Sequence, residues 1–100
     1  MRTVDPDKIN AALELDRLNL PARPRVRRII WRDYRDWSGE EALRIWALLD
    51  DRTPKRDRAW ERIEPIHRVI HETLEQIGEE RFPYITFWTE AEWKEHRGAR

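Results

Sequence analysis

Cysteine is absent from this chain, which removes disulfides and thiolate metal sites from any account of its stability or chemistry. Serine occurs once, at Ser38, in a turn beside no histidine. With no thiol and one isolated hydroxyl of this kind, covalent hydrolase chemistry has no activated nucleophile. Only three glycines are present, and no Gly-rich loop cradles a phosphate. No apolar run approaches membrane length, and Met1 is followed by a polar stretch and not by an apolar leader. A cytoplasmic protein with no membrane partner is the expectation. A charge excess of either sign is missing too, since 20 basic residues balance 20 acidic ones. Lysine is scarce beside arginine, at three to seventeen, and Asn, Gln, Met and Cys together number four. A GC-rich genome produces the first bias, and a thermophilic origin would also produce the second.

What remains is a chain that is 40% charged yet 39% hydrophobic, with six tryptophans among ten aromatic residues. The mean hydropathy of −0.96 taken alone leans towards disorder, but disorder needs low hydrophobicity together with high net charge, and here the net charge is zero. One hundred residues predict a single domain over 1–100 with a real but thin-margined core. The charges are polarised along the chain. Residues 1–35 carry nine basic and five acidic side chains, and the remainder carries eleven and fifteen. Arg23, Arg25, Arg27, Arg28, Arg32 and Arg35 form the basic run. It suits either a solvated edge strand, where charge blocks aggregation, or a patch for an anionic partner.

Local signals divide the chain into six elements. Asp5, Pro6 and Asp7 are the cap, first-position proline and dipole-favoured acid of a helix with the stripe Ile9, Ala12, Leu13 and Leu18. Pro21 and Pro24 end it. An extended stretch over 26–34, a turn with Gly39, and a second apolar run over 42–49 predict a β-hairpin. Trp60, Ile63, Ile66, Ile70, Leu74 and Ile77 repeat with helical spacing and stop at Gly78. Pro65 lies within this helix, so a kink or two pieces meeting at Glu64–Pro65 is expected. A third strand over 82–88 leads to Thr89 and Glu92, spaced as a capping box for a last helix carrying Trp93. The fold class is α+β, in the order α-β-β-α-β-α, with a three-stranded, mainly antiparallel sheet packed on the long Pro-kinked helix. The crossover makes the third strand parallel to the second. The order 2-1-3 is expected, because it keeps every pairing antiparallel.

Alternation splits each strand into two faces. Leu43, Ile45, Ala47 and Leu49 match the aliphatic helix stripe, and Ile29, Trp31, Ile85 and Phe87 join them as core, together with Trp60 from the helix. The opposite face collects Arg28, Ile30, Arg32 and Tyr34; Arg44, Trp46 and Leu48; and Phe82, Tyr84 and Trp88. A face meant only for water is plainly polar, and this one is aromatic and arginine-rich. Three roles are open for it. The first and last helices could cover it, a protein partner or a second copy could dock on it, or single-stranded nucleic acid could stack on it. The zero net charge counts against the third.

Other chemistry is thinner. His67 and His71 share a helix face, with Glu64 and Glu75 flanking, and are the candidate metal ligands. Arg68 after His67 departs from the metalloprotease motif. Asp33 and Asp36, and Asp50 and Asp51, fall at opposite ends of the hairpin, too far apart to share magnesium. Thr53, Lys55, Arg56 and Arg58 surround the long helix's start without a phosphate loop. The function expected is a non-catalytic protein-interaction or accessory module, of the kind small bacterial partner proteins provide, and homodimeric in one version. Its binding face is Arg28, Arg32, Tyr34, Arg44, Trp46, Tyr84 and Trp88. Single-stranded nucleic-acid binding is the alternative and a divalent-metal-dependent enzyme the lesser one. No cofactor is expected.

Overall fold

The computed structural model describes residues 3–98. Asp5 caps α1 (Pro6–Ala12) by accepting the Asp7 N–H at 2.8 Å, and Pro6 occupies the first helical turn. An irregular segment follows, then β1 (Val26–Arg35) and β2 (Glu41–Leu49). Between them Asp36 ties the hairpin turn by accepting Ser38 N–H, Ser38 Oγ–H and Glu40 N–H, while Gly39 takes φ +85°. A short 3₁₀ turn, Lys55–Arg58, precedes α2 (Trp60–Gln76), β3 (Phe82–Thr89) and α3 (Glu90–Gly98). No helix among the described residues is long and apolar enough to cross a membrane.

Helix α2 is one continuous run through Pro65, so the two-piece alternative is not what forms. The proline removes a single bond, to the Glu61 carbonyl, close to the helix start. Downstream, Ile66, Ile70 and Leu74 are buried and hold the helix against the sheet. It ends in a Schellman motif: Gly78 N–H donates to the Glu75 carbonyl and Glu79 N–H to the Leu74 carbonyl, both at 3.0 Å.

The sheet is mixed, with order β1-β2-β3: β1 and β2 are antiparallel, and β2 and β3 parallel. The expected order 2-1-3 is therefore overturned, although the relative strand directions are as expected. The reason lies in β2. Its seven residues from Ala42 to Leu49 other than Arg44 are all buried, as a central strand covered on both faces requires. Strand β1 carries four arginines and Asp33, a composition for an edge. The other edge, β3, is blunted differently. Pro83 has no N–H, the Phe87 carbonyl accepts Arg58 Nη2–H at 3.4 Å, and the Thr89 N–H is taken by Glu92.

One face of the sheet packs on α1 and α2. Leu43, Ile45 and Ala47 meet Ile66, Ile70 and Leu74, with Ile9 and Leu13 from the α1 region completing the core. Ile29, Trp31, Ile85 and Phe87 border it. At the end of this layer is a buried ion network. The Glu79 side chain is fully buried and accepts from Val4 N–H, Arg81 N–H and the Arg81 guanidinium, which also reaches Asp33 at 2.8 Å. Burial opposes the Glu79 charge, but the bonds from Arg81 outweigh it and hold the carboxyl below its ordinary range.

Strand β3 passes into α3 without a loop. Thr89 Oγ1 accepts the Glu92 N–H at 3.2 Å, and Glu92 Oε1 accepts the Thr89 N–H at 2.7 Å, a reciprocal capping box. Arg58 clamps the same glutamate at 2.8 Å. Thr89→Ala should lower unfolding free energy by about 1 kcal/mol in urea denaturation, the usual cost of a missing cap, and Thr89→Ser should recover most of it. Equal losses in both variants would show that the cap bond is not the stabilising interaction.

Candidate interaction face

The register sets the second sheet face in four rows across β1, β2 and β3. They are Arg28–Leu48–Trp88, Ile30–Trp46–Thr86, Arg32–Arg44–Tyr84 and Tyr34–Ala42–Phe82. The only irregularity in β1 pairing lies between Val26 and Arg28, ahead of these residues, so their alternation is undisturbed.

Helix α3 covers the first two rows. The Trp93 ring lies 5.1 Å from Trp46 and 6.2 Å from Trp88, and Trp88 also meets His96 at 4.8 Å. Trp46 and Trp93 are left 8% and 5% exposed, Leu48 is fully buried, and Trp88 is half-buried. Both terminal helices were candidates for this cover, but only α3 supplies it. Helix α1 lies on the opposite face, where the Trp31 Nε1–H donates to Asn10 Oδ1 at 2.7 Å.

The tryptophans therefore serve several ends. Trp60, expected in the core, is 58% exposed. At 3.6 residues per turn it sits roughly 80° round the helix from Ile70, in line with His67 and His71 and off the aliphatic stripe. Trp37 is 93% exposed in the hairpin turn. Alternation reaches only strand residues, so nothing in the pattern singles Trp37 out, although a tryptophan inside an Asp-x-Ser-Gly turn is an unusual choice that draws notice.

Rows three and four remain open. Arg32, Tyr34 and Phe82 are exposed, and Arg44 and Tyr84 half-buried. Tyr84 packs edge-on against Phe82 at 4.8 Å and Tyr34 at 5.7 Å. Its hydroxyl donates to Asp36 Oδ2 at 3.0 Å, which pushes the phenol pKa up. The Ser38 hydroxyl bond, followed by Glu40 N–H and Tyr84, holds the Asp36 carboxyl down against partial desolvation.

Arg32 and Arg44 face each other directly across β1 and β2, their guanidinium carbons 5.7 and 5.4 Å from the Trp46 ring centre. Arg44 also lies 5.8 Å from the Tyr34 ring. Like charges directly opposed in a sheet are destabilising. Among the described residues neither arginine is in an ion pair, as Arg17, Arg27, Arg52, Arg58, Arg68 and Arg81 are. Arg23, Arg25, Arg35, Arg56 and Arg62 are likewise outside one, but none of them is opposed by a second cation across the sheet. Arg28, at the end of row one, is exposed and likewise outside any ion pair.

The other candidates take structural places. The rings of His67 and His71 stack at 5.2 Å, bracketed edge-on by Trp60 and Phe82. Burial, then the neighbouring His71, pushes the His67 pKa down, while Glu64 pulls it up more weakly. Glu64 is engaged by Arg68 at 3.2 Å, and Glu75 is exposed. No group of three or more His, Cys, Asp or Glu side chains converges on a metal position among the described residues. Asp50 bonds Arg52 and Asp51 accepts Ala91 N–H, while Asp33 and Asp36 serve the opposite end. Ser38 donates its hydroxyl to Asp36. Compared with protein-family models, with curated proteins and with solved structures, the chain matches none.

Proposed function

We propose that this chain is a non-catalytic protein-interaction module whose contact surface is the open half of the second sheet face, Arg32, Arg44, Tyr34, Tyr84 and Phe82, with Trp37 beside it on the hairpin turn. The observation that carries this is the cross-strand pair Arg32–Arg44, two opposed cations stacked on one tryptophan without a carboxylate partner. A sheet builds in such a repulsion at a cost in stability, and sites that break local rules in this way are where function is found. Tyrosine, tryptophan and arginine are also the side chains that dominate binding hot spots. A two-fold axis through this face would bring the Arg32–Arg44 pairs of two copies together, so a different protein fits better than a homodimer. Single-stranded nucleic acid is the second reading. It is weakened because Trp46 and Trp88, two of the three rings expected to stack bases, pack against Trp93 of α3, which leaves Tyr84 alone in the open rows.

A photo-crosslinking phenylalanine analogue placed at Tyr34 in the native cell tests both. A discrete protein adduct is expected, lost when Arg32 and Arg44 are changed to glutamate and absent when the analogue replaces the exposed Glu72 on α2. A nuclease-sensitive adduct would transfer the face to the nucleic-acid reading, an adduct of twice the chain mass would make it a homodimer, and no adduct would sink the proposal.

A further inference from the structure

The ligand chemistry of this face follows from a mismatch between its donors and its acceptors, and we infer that it takes a carboxylate from an acidic peptide segment of its protein partner, held between Arg32 and Arg44. This rests on the protein-interaction reading above and names the partner's recognised group. The accessible donors left unmatched here are the guanidiniums of Arg32 and Arg44, which lie over Trp46. The indole N–H groups of Trp46 and Trp93 also have no acceptor among the described residues, but both are sealed from solvent where the two rings meet and are not offered to a ligand.

Among the described residues no acid supplies an acceptor for these two guanidiniums. Asp36 is occupied by Ser38, Glu40 and Tyr84, and Asp33 is engaged by Arg81. An arginine pair takes a carboxylate through short, charge-assisted bonds, in two-pronged geometry where the planes align. Asp36 and Glu40, in the hairpin turn beside row four, place negative charge next to this face and oppose a continuous phosphate backbone, whereas Asp33 and Glu41 alternate onto the opposite face. The zero net charge also lacks the long-range field that draws nucleic acid. Phe82, 54% exposed, and Tyr34 offer apolar contact beside the cations, so the segment recognised mixes acidic and aromatic residues.

The test is a titration of the isotope-labelled protein with the blocked tetrapeptide Glu-Glu-Phe-Glu, following the indole N–H signals of Trp46 and Trp93 and the side-chain N–H signals of Arg32 and Arg44 by NMR. Saturable shifts of the Arg44 and Trp46 signals are expected below about 5 mM. The neutral peptide Gln-Gln-Phe-Gln and an octathymidylate should each bind about tenfold more weakly or worse. Arg44→Gln and, separately, Arg32→Gln should abolish the response, with the rest of the spectrum reporting an intact fold, while Arg68→Gln on α2 should leave it unchanged. No saturable shift, an equal response to the neutral peptide, or tighter binding of the oligonucleotide overturns the inference. If the acidic peptide fails while the Tyr34 adduct to a protein persists, the carboxylate assignment alone falls. If both fail, the interaction surface falls with it.

Discussion

Arg81→Met should lower the unfolding free energy at pH 7 by about 3–5 kcal/mol, because it leaves the fully buried Glu79 carboxylate without its counter-charge. The substitution also removes the ion pair to Asp33, which matters less, since that carboxylate is largely in water. The pH dependence separates this cause from poorer packing. In the wild type the Glu79 pKa is depressed in the folded state. Its stabilising contribution is therefore fully present above the unfolded value, near 4.5, and is lost as the pH falls through the lower folded value. In Arg81→Met only the backbone N–H groups of Val4 and residue 81 still oppose the effect of burial, so the folded pKa rises and acidification relieves the buried charge. The stability gap between wild type and variant in urea should thus narrow steadily from pH 7 to pH 4. A gap that stays constant over that range, or one below about 1 kcal/mol at pH 7, would show that Glu79 does not depend on Arg81.

Ile70→Ala should cost about 2–5 kcal/mol, the range for a large-to-small change at a fully buried site. Ile70 belongs to the same buried cluster as Ile45 and Ala47 in the layer between α2 and the sheet, where the surrounding strands cannot collapse into the space left. Trp60→Ala removes a larger side chain from the same helix yet should cost under about 0.5 kcal/mol, because most of that ring is already in water. Equilibrium urea unfolding of the two variants decides the point. Comparable losses in both would mean that α2 presents a different face to the sheet.

The elements whose limits are set by local chemistry were legible in the sequence. Asp5 and Pro6 open α1, Gly78 closes α2, and Thr89 with Glu92 opens α3, each through bonds between residues a few positions apart. The alternation in β2 likewise marks which side chains share a face, and Arg28, Arg32, Tyr34, Arg44, Trp46, Tyr84 and Trp88 do lie on one face. What alternation does not report is which rows a helix lies over. Trp46 is buried and Arg44 half-buried for no reason contained in either residue's neighbours, only because Trp93 arrives from α3 over Trp46. The strand order was open for a similar reason, since the crossover constrains direction but not which side of the hairpin β3 joins. The uninterrupted apolar run of β2 was the usable sign. The Glu79–Arg81–Asp33 network joins residues 48 positions apart and leaves no periodic trace.

The unequal edges of the sheet set an upper bound on how many chains can join by strand pairing. A sheet with two open edges behaves as a bifunctional monomer, each addition exposing a new end, and growth has no natural stop. Here Pro83, Arg58 and Glu92 obstruct β3, so the chain is at most monofunctional. Pairing at β1 uses the single available end and terminates at two chains. Protection against fibre growth thus does not depend on the β1 arginines being repulsive enough to prevent every encounter, because an encounter that succeeds is also the last.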